Sequence, residues 1–361
     1  MSVSDFSPSA SRLDSLDLLR GLDMLLIIGL DALIIVLAQI FPHTEWLSFT
    51  AKQMGHSHWQ GATAYDFIFP IFVFISGISM SFSLRRFTYT PGLGIAKVWK
   101  RAAILVLLGM LINGTLSWDA NMRIASVLGL IGLSCAIAGS AALLLKKPLA
   151  IGLFGIVILS TIAILQFSLG DFSATGSLNS LIDQTLLPGK LHGGTYDPEG
   201  LLCIISASAL CLGGYLVGIL LQNPLYSPAK KLLIILGIGI ITLLTGWGLG
   251  DIYPIIKKLW TGSFVLLTMG VSCLLLTLFY FIVDICGLHR WGLPLRIVGM
   301  NALVAYLMYN LLNLQSLNLR IISGIASFFG SWQNLIIVLS FLSLQLGILF
   351  LMYKKRIFVK I

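Results

Sequence analysis

The sequence predicts an all-α membrane protein, a polytopic bundle of about ten transmembrane helices with both termini in the cytoplasm. Of its 361 residues, 57% are hydrophobic and only 10% are charged, whereas a soluble domain usually carries about 25% charged residues. The mean hydropathy is +0.97, and the apolar runs reach about 20 residues, the length that crosses roughly 30 Å of hydrocarbon. These observations exclude a water-soluble enzyme.

The apolar runs and the residues that interrupt them predict the helices in order. The expected spans are 16–40, 65–84, 98–113, 122–145, 149–169, 200–221, 231–249, 261–283, 294–314 and 332–353. No soluble module fits between them, so residues 13–361 are expected to form a single domain behind a polar N-terminal tail of residues 1–12. The first run contains Asp23 and Asp31, which predicts a retained helix rather than a signal peptide.

The distribution of basic residues orients this bundle. With the N-terminus inside, 17 of the 23 Lys and Arg residues fall in inner segments, as the positive-inside rule requires. Topology therefore explains the net charge of +9, and we expect no nucleic-acid partner. Four of the five histidines fall at the outer side, namely His43, His56, His58 and His192. The five cysteines lie in or beside apolar runs without paired loop spacing, which predicts free packing thiols and no metal site.

Asp31 lies deep in the first predicted helix. At 1.5 Å per residue it is about 20 Å beyond Leu18, past the middle of the membrane. A carboxylate at such a depth costs at least about 2.5–3.5 kcal/mol, so it should face the bundle interior. Either a neighbouring helix satisfies it with hydrogen bonds, or it lines a polar cavity. Asp17, Arg20 and Asp23 have the spacing of an ion-pair ladder near the inner end.

His56 precedes the second predicted helix and is the strongest candidate for chemistry. Histidine titrates near neutral pH and can act as a general base, although a loop histidine is more often an ordinary surface residue. Ten residues later, Asp66 forms with Thr63 the pattern of a helix capping box. The Asp-Pro-Glu-Gly stretch at 197–200 similarly predicts the opening of the sixth helix, with Asp197 as the N-cap.

Seven groups of residues, in order along the whole chain, carry a further signal. They are Arg12-Leu-Asp-Ser-Leu-Asp17 with Leu19-Arg20-Gly21, the stretch His56-x-x-Trp59-x-Gly61-x-Thr63-x-x-Asp66-Phe-x-Phe-Pro70-x-Phe-x-Phe-Ile75-x-Gly77, Ser117-Trp118-Asp119 with Arg123-Ile124, Tyr196-Asp-Pro-Glu-Gly200, Leu259-Trp260, Gly299-Met300-Asn301 with Tyr306, and Tyr353-Lys-Lys-Arg-Ile-Phe358. Together they resemble the heparan-alpha-glucosaminide N-acetyltransferase family in a short, bacterial-type form.

This resemblance implies an enzyme that moves an acetyl group from cytosolic acetyl-CoA across the membrane to the amine of a glucosamine-type sugar or glycan fragment outside. It places the family's active-site histidine at His56, which would act as a base or as a transient acetyl carrier. It places the polar first-helix residue of the family at Asp31, which would either orient and charge-stabilise the imidazole or mark a shift in substrate. The residues expected to bind the acceptor or CoA are Trp59, Asp66, Arg123, Tyr196, Asp197, Glu199, Asn301 and Arg101. Acetyl-CoA would be a co-substrate, and no metal is expected.

The resemblance also implies a homodimer in a lipid bilayer, and the short form suggests the inner membrane of a bacterium. Three departures stand out. Asp31 replaces the Asn of lysosomal members, the segment after Arg123 lacks the Gln-Arg pair that the family often has, and Tyr309-Asn310 stands where lysosomal members have His-Glu. Arg123 itself is expected to be a lone cation at the start of an outer helix.

Two other functions are compatible with the same residues. A secondary transporter or exporter would use Asp31 and His56 as a proton relay. A non-enzymatic membrane component would use the acidic residues and histidines only as helix caps and buried pairs. Acetyl-CoA consumption separates the enzyme from the transporter, and substitutions that alter stability alone would indicate the membrane component.

Overall fold

The computed structural model describes residues 13–115, 122–312 and 314–359. Over these ranges the chain is helical and forms no named strand; isolated bridges join only a few loop residues. The predicted tail at 1–12 and the motif residues Ser117, Trp118 and Asp119 lie outside the described ranges. The predicted all-α class is confirmed.

Fourteen helices follow one another along the described residues. They are α1 Asp14–Ile40, α2 Glu45–Gln53, α3 Ala64–Leu84, α4 Pro91–Ile112, α5 Val127–Leu145, α6 Pro148–Leu169, α7 Leu178–Leu186, α8 Leu201–Gln222, α9 Pro228–Gly248, α10 Gly262–Phe279, α11 Leu293–Met300, α12 Ala302–Asn310, α13 Leu314–Ala326 and α14 Gln333–Lys354. We call the end of the bundle that carries His56 the outer end and the opposite end the inner end, after the predicted orientation.

Eight segments of the described chain are long and apolar enough to cross a membrane. They are Asp14–Ile40, Ala64–Phe87, Val127–Leu145, Pro148–Leu169, Leu201–Gln222, Pro228–Asp251, Gly262–Ile285 and Leu314–Lys354. The chain is therefore an integral, multi-pass membrane protein. The number of ten spans and the cytoplasmic placement of both termini stay predictions.

Two of the ten predicted spans differ from the others in the structure. The third corresponds to α4, whose first half carries Lys97, Lys100 and Arg101, and these cations make it too polar to count among the eight. The ninth, predicted at 294–314, is broken at Asn301 into α11 and α12. At this break the Asn301 side chain forms hydrogen bonds with the C-terminal segment.

The bend in α1 determines where Asp31 lies. Residues Leu26–Leu30 form a wide π-helical turn, in which Gly29 adopts a φ of 137°. A side chain rarely tolerates this conformation, so glycine permits the bend. Asp31 begins the straight half of α1 beyond it.

α3 and α8 pack together through small residues in the middle of the bundle. A Cβ added to Gly77 would lie 2.1 Å from the carbonyl oxygen of Cys211, and one added to Gly214 would lie 2.1 Å from that of Phe74. The two backbones are therefore in direct contact, as small residues allow in membrane helices. This pair forms a rigid frame for the cavities on either side of α3.

Candidate active site

Four connections between helices, those before α3, α5, α8 and α10, meet at the outer end of the bundle and carry the candidate residues. The loop before α3 and the loop before α10 are joined by a hydrogen bond of 2.8 Å from the Gly61 amide to the Ile255 carbonyl. Asn179 on α7 also supports the loop before α10, because its side chain donates a hydrogen bond of 3.2 Å to the Leu259 carbonyl. This support brings residues from distant parts of the sequence into one site.

His56 is held by a buried carboxylate. Its Nδ1 lies 2.8 Å from Oδ1 of Asp66. The other oxygen of Asp66 accepts hydrogen bonds from the backbone amides of Ser57 at 3.1 Å and Thr63 at 3.0 Å. The predicted capping box is thus confirmed. The same carboxylate serves a second purpose, since a bond from Nδ1–H to Asp66 leaves Nε2 unprotonated and able to accept a proton.

Lys257 completes this group and was not predicted from the sequence. Its Nζ lies 3.2 Å from Oδ1 of Asp66 and 3.1 Å from Nδ1 of His56. Burial lowers the pKa of Lys257, while the charge and hydrogen bond of Asp66 act in the opposite direction. The lysine lies 201 residues from His56 along the chain, so no local spacing could have indicated the contact.

Asp31 does not occupy the position expected of it. Its carboxylate accepts a hydrogen bond from the hydroxyl of Tyr65 on the neighbouring helix α3, which is the first of the two alternatives predicted for it. The Tyr65 ring in turn packs on the His56 ring, with centroids 4.9 Å apart. The carboxylate that hydrogen-bonds the imidazole is Asp66, and Asp31 reaches His56 only through Tyr65.

Arg123 forms the second half of the site, together with two acidic residues. Its guanidinium binds Asp197 through two hydrogen bonds of 2.8 and 2.7 Å, and a third reaches Glu199. Arg123 is therefore not the lone cation that was expected, and it precedes α5 in an extended segment rather than starting a helix. Two carboxylates share one cation here.

The opening of α8 also differs from the prediction. The N-cap is Gly200 rather than Asp197, because the Asp197 carboxylate is engaged by Arg123. Asp183 on α7 accepts hydrogen bonds from the backbone amides of Leu201 at 3.1 Å and of Asp197 at 3.2 Å. Burial raises the pKa of Asp183 to about 6, although these two bonds act to lower it.

Glu199 is the more weakly acidic of the two residues around Arg123. Burial raises its pKa to about 7, against an attraction by Arg123 that acts to lower it. Burial also acts to raise the pKa of Asp197, but its hydrogen bonds with Arg123 outweigh this effect and lower it. At neutral pH, Glu199 can therefore either hold or release a proton.

The stability of the protein should depend on pH through Glu199. A carboxyl group whose pKa is raised from 4.5 to about 7 in the folded state stabilises the fold fully below about pH 4.5, and this contribution is lost as the pH rises through about 7. The melting temperature of the wild type should therefore fall when the pH is raised from about 5 to about 8. In Glu199→Gln, which cannot ionise, we expect this fall to be smaller by several degrees. An unchanged pH dependence of melting in the variant would contradict this.

Aromatic residues line the space between the two halves. The Trp59 indole donates a hydrogen bond of 2.7 Å to the Phe172 carbonyl, and its ring lies 4.9 Å from that of Tyr196 in an edge-to-face arrangement. Lys258 Nζ lies 5.5 Å from the centre of the Trp59 ring. His192 lies beside these groups, where burial and the Arg123 charge lower its pKa.

A long cavity runs along one face of α3 from the inner end towards this site. Its volume is about 310 Å³. The α3 residues that line it are Phe69, Phe72, Ser76, Ser79 and Ser83. They recur every three or four positions and extend over about 21 Å at 1.5 Å per residue. At its outer part lies Tyr306, which interacts electrostatically with Glu199 and Arg123.

Two cations, Arg20 and Arg101, line the same cavity on its inner side. Arg20 donates a hydrogen bond of 2.6 Å to Ser79 Oγ and also contacts Asp17. This is half of the predicted ladder, because Asp23 forms no salt bridge with Arg20 within the described ranges and its Oδ2 is buried without a hydrogen-bond partner there. Nε of Arg101 is buried and has no hydrogen-bond partner among the described residues. A buried donor of this kind is available to an anionic ligand.

The remaining predicted residue, Asn301, is buried at the break between α11 and α12. Its Nδ2 donates a hydrogen bond of 3.1 Å to the Ile357 carbonyl, and its Oδ1 accepts one of 3.1 Å from the Val359 amide. The neighbouring Gly299, Met300 and Ala302 line the long cavity. Asn301 therefore shapes the cavity wall by holding the C-terminal segment.

Seven of the ten predicted residues lie together, while Asp31 reaches them only through Tyr65 and Asn301 lies apart at the C-terminal segment. His56, Trp59, Asp66, Arg123, Tyr196, Asp197 and Glu199 gather at the outer end, whereas Arg101 lies farther in along the cavity. Within the described ranges, no three His, Cys, Asp or Glu side chains converge as a set of metal ligands. The arrangement offers a general base, a carboxylate pair and a cation-lined passage.

The comparisons with known proteins agree with the motifs in the sequence. The chain is 28% identical over 322 aligned residues to human (Homo sapiens) heparan-alpha-glucosaminide N-acetyltransferase, covering 70% of this chain and 48% of that protein. It is 26% identical over 424 aligned residues to the mouse (Mus musculus) protein of the same name, covering 98% of this chain and 61% of that protein.

The chain spans about half to three fifths of the length of these two relatives. No protein-family model matches it. The two matches nevertheless extend over most of the chain, and the seven groups of motif residues are distributed along the same chain. The chain is therefore similar in sequence to the heparan-alpha-glucosaminide N-acetyltransferases, and the resemblance in its motifs is confirmed.

Proposed function

We propose that this protein is a transmembrane N-acetyltransferase that moves an acetyl group from acetyl-CoA at the inner end to the amine of a glucosamine-type sugar at the outer end. The observation that carries this proposal is the position of His56. The imidazole is oriented by Asp66 at 2.8 Å, and the Lys257 ammonium lies 3.1 Å from the same ring nitrogen as a neighbouring charge, at the end of the bundle towards which the long cavity runs. The names of the two relatives support the reaction class.

In this mechanism His56 activates the acceptor. Its Nε2 takes a proton from the amine as the nitrogen attacks the acetyl carbonyl, because Nδ1 is committed to Asp66. The carbon–nitrogen bond forms and the carbon–sulfur bond of the thioester breaks. The departing CoA sulfur then takes a proton, which His56 can supply. Asp66 stabilises the imidazolium that exists between the two transfers.

The long cavity supports the inner, acetyl-CoA half of the proposal. Its volume of about 310 Å³ lies at the lower end of the range of small-molecule sites, about 300–1,000 Å³. Arg20 and Arg101 would pair with the phosphates of CoA, since guanidinium groups bind phosphate through several donors. The extended arm of CoA would then lie along the serines of α3 and carry the thioester outwards.

The outer cluster supports an amino-sugar acceptor. Trp59 and Tyr196 form an aromatic wall, on which the apolar face of a sugar ring can pack. Asp197 and Glu199 provide carboxylate oxygens for hydroxyl or ammonium groups, and Arg123 keeps them in place. We extend the proposal to a homodimer in the inner membrane of a bacterium, which rests on the resemblance.

Transfer can be tested in vesicles whose orientation is known. Radiolabelled acetyl-CoA is supplied on one side and glucosamine on the other, and the label in N-acetylglucosamine is measured. We expect product only when the donor faces the inner end. Glucosamine flux without consumption of acetyl-CoA would instead identify a transporter and contradict the proposal.

Lys257 should contribute through its charge beside His56. Without this cation, Asp66 would favour the imidazolium more strongly, and the base would stay protonated to higher pH. We expect Lys257→Met to lower the rate of acetyl transfer by about tenfold at neutral pH and to raise the pH of half-maximal rate. Lys257→Arg should restore most of the rate.

The matched control is Lys190→Met, which removes an exposed cation at the same end of the bundle. Its pH–rate profile should equal that of the wild type. The other groups around His56, namely Tyr65 and His192, are unchanged in both variants. A Lys257→Met profile that falls in rate without moving along the pH axis would mean that the lysine only supports the loop.

A further inference from the structure

A second cavity lies on the opposite face of α3 from the long cavity. Ser81 of α3 and Arg85, which directly follows this helix, line the second cavity. They lie two residues after Ser79 and Ser83, which line the long cavity. Two residues turn an α-helix by about 200°, so the two cavities open on opposite sides of α3. The second cavity has a volume of about 310 Å³. It lies at the inner end, where α3 and α8 finish, and the proposed acetyl transfer makes no use of it.

The charge of this cavity is positive and uncompensated. Arg85 is its cation, and no carboxylate within the described ranges forms a salt bridge with this guanidinium. The sequence contains no Asp or Glu between residues 67 and 118 or between residues 200 and 250, which include both walls. Lys231 adds a further cation nearby, where its Nζ bonds the Leu221 carbonyl at 2.7 Å.

The Asn223 amide offers hydrogen-bond donors at the end of α8, whereas Ser81 and Gln222 donate within the protein, to the Ile78 and Gly218 carbonyls respectively. Gln222 bridges the two helices by donating a hydrogen bond of 2.8 Å to Ser81 Oγ. Asn223 accepts a bond of 2.9 Å from the Leu225 amide through its Oδ1, which directs its two N–H donors to other partners. Because α3 and α8 are in backbone contact at Gly77 and Gly214, this arrangement is rigid.

The remaining walls are less polar. Tyr215 and Ile219 of α8 line the side of the cavity away from Arg85. The cavity thus combines the Arg85 guanidinium, which has no salt bridge within the described ranges, the amide group of Asn223, and an aromatic and aliphatic wall. An ester of phosphate has the matching properties, because its oxygens accept from guanidinium and amide groups and its substituent is less polar.

We propose that this cavity binds the phosphate of an anionic phospholipid, with the headgroup between Arg85 and the end of α8. The cavity lies where two spanning segments end, at the cation-rich end of the bundle. Basic pockets between transmembrane helices bind anionic headgroups at such positions. The same chemistry would accept a free phosphate, and the experiment distinguishes the two sources.

The test uses the full-length protein in nanodiscs of phosphatidylglycerol mixed with phosphatidylcholine. After extraction into detergent, native mass spectrometry counts the lipids that stay bound. We expect the wild type to retain one phosphatidylglycerol in preference to phosphatidylcholine and Arg85→Gln to retain about tenfold less, as loss of one charge-assisted contact predicts. Equal retention of the two lipids by the wild type, or equal retention of phosphatidylglycerol by Arg85→Gln, would overturn the proposal.

The chain provides a matched control in the next residue. Arg86 has the same charge, but its guanidinium lies over the Phe87 ring at 4.9 Å. Arg86→Gln should retain phosphatidylglycerol like the wild type. If both variants lose the same amount of bound phosphatidylglycerol, the loss follows the net charge of the protein, and the proposed role of Arg85 is contradicted. If Arg85→Gln fails to fold, Asn223→Asp is the second variant, because it places a repelling carboxylate in the same cavity without a change in size.

A second arm replaces the lipid by inorganic phosphate. The melting temperature of protein in a zwitterionic detergent is measured with phosphate and with the same ionic strength of chloride. No phosphate-specific increase is expected, since a lone ion lacks the contacts with Tyr215 and Ile219. An increase that disappears in Arg85→Gln would assign the site to free phosphate and overturn the lipid as its ligand.

Discussion

His56→Ala should lower the rate of acetyl transfer to glucosamine by about 10²–10⁴-fold, the contribution of a positioned general base. The loss is expected in the rate and not in folding, because the side chain is 54% exposed and buries little surface. Melting temperature measured beside the labelled-acetyl assay separates the two. The existing contacts of Asp66 with the Ser57 and Thr63 amides should keep the loop in place.

The control is His58→Ala, two residues away in the same loop. His58 is also exposed, and the interaction with Lys258 that involves this residue is made by its backbone carbonyl, which alanine retains. Its rate should stay within about twofold of the wild type. Added imidazole should restore part of the rate of His56→Ala, since the site is open to solvent. An undiminished rate in His56→Ala would remove the base from the mechanism.

The hydrophobic pattern predicted most of the spanning helices closely, because burial in lipid depends on local composition. The expected spans 65–84, 149–169 and 200–221 correspond to α3, α6 and α8 within one residue at each end. The break at Asn301 was not predicted, because its cause is a pair of hydrogen bonds to Ile357 and Val359, which lie far from it along the chain. The helix α13 was also missed, as were α2 and α7, which are too short and too polar to stand out from loops.

The same distinction holds in the candidate site. The capping role of Asp66 follows from its three-residue distance to Thr63, a signal that the sequence contains. Its contact with His56 and the participation of Lys257 depend on how loops meet at the outer end. Arg123 lies 74 residues from Asp197 and 76 from Glu199. Their pairing could have been suspected from one feature, namely an arginine and two acids that must be buried near the same apolar boundary.

Substitutions of Asp66 and Asp31 test which of the two carboxylates orients His56. Asp66→Asn should lower acetyl transfer by about 10²–10⁴-fold, because an amide can turn its N–H towards Nδ1 and so favour the tautomer that protonates Nε2. The amide oxygen can still accept from Thr63, so the capping of α3 is partly kept. Lys257 would also lose its anionic partner at 3.2 Å.

Asp31→Asn should have a much smaller effect, about tenfold or less, because Asp31 acts on His56 only through Tyr65. The amide oxygen of Asn can still accept from the Tyr65 hydroxyl. A half-buried carboxylate at the inner end provides the control: Asp284→Asn, which lies beside Ser15, should leave the rate of the folded protein unchanged. If Asp31→Asn instead loses more activity than Asp66→Asn, the base must be oriented through α1, and the contact between His56 and Asp66 would serve only to cap α3.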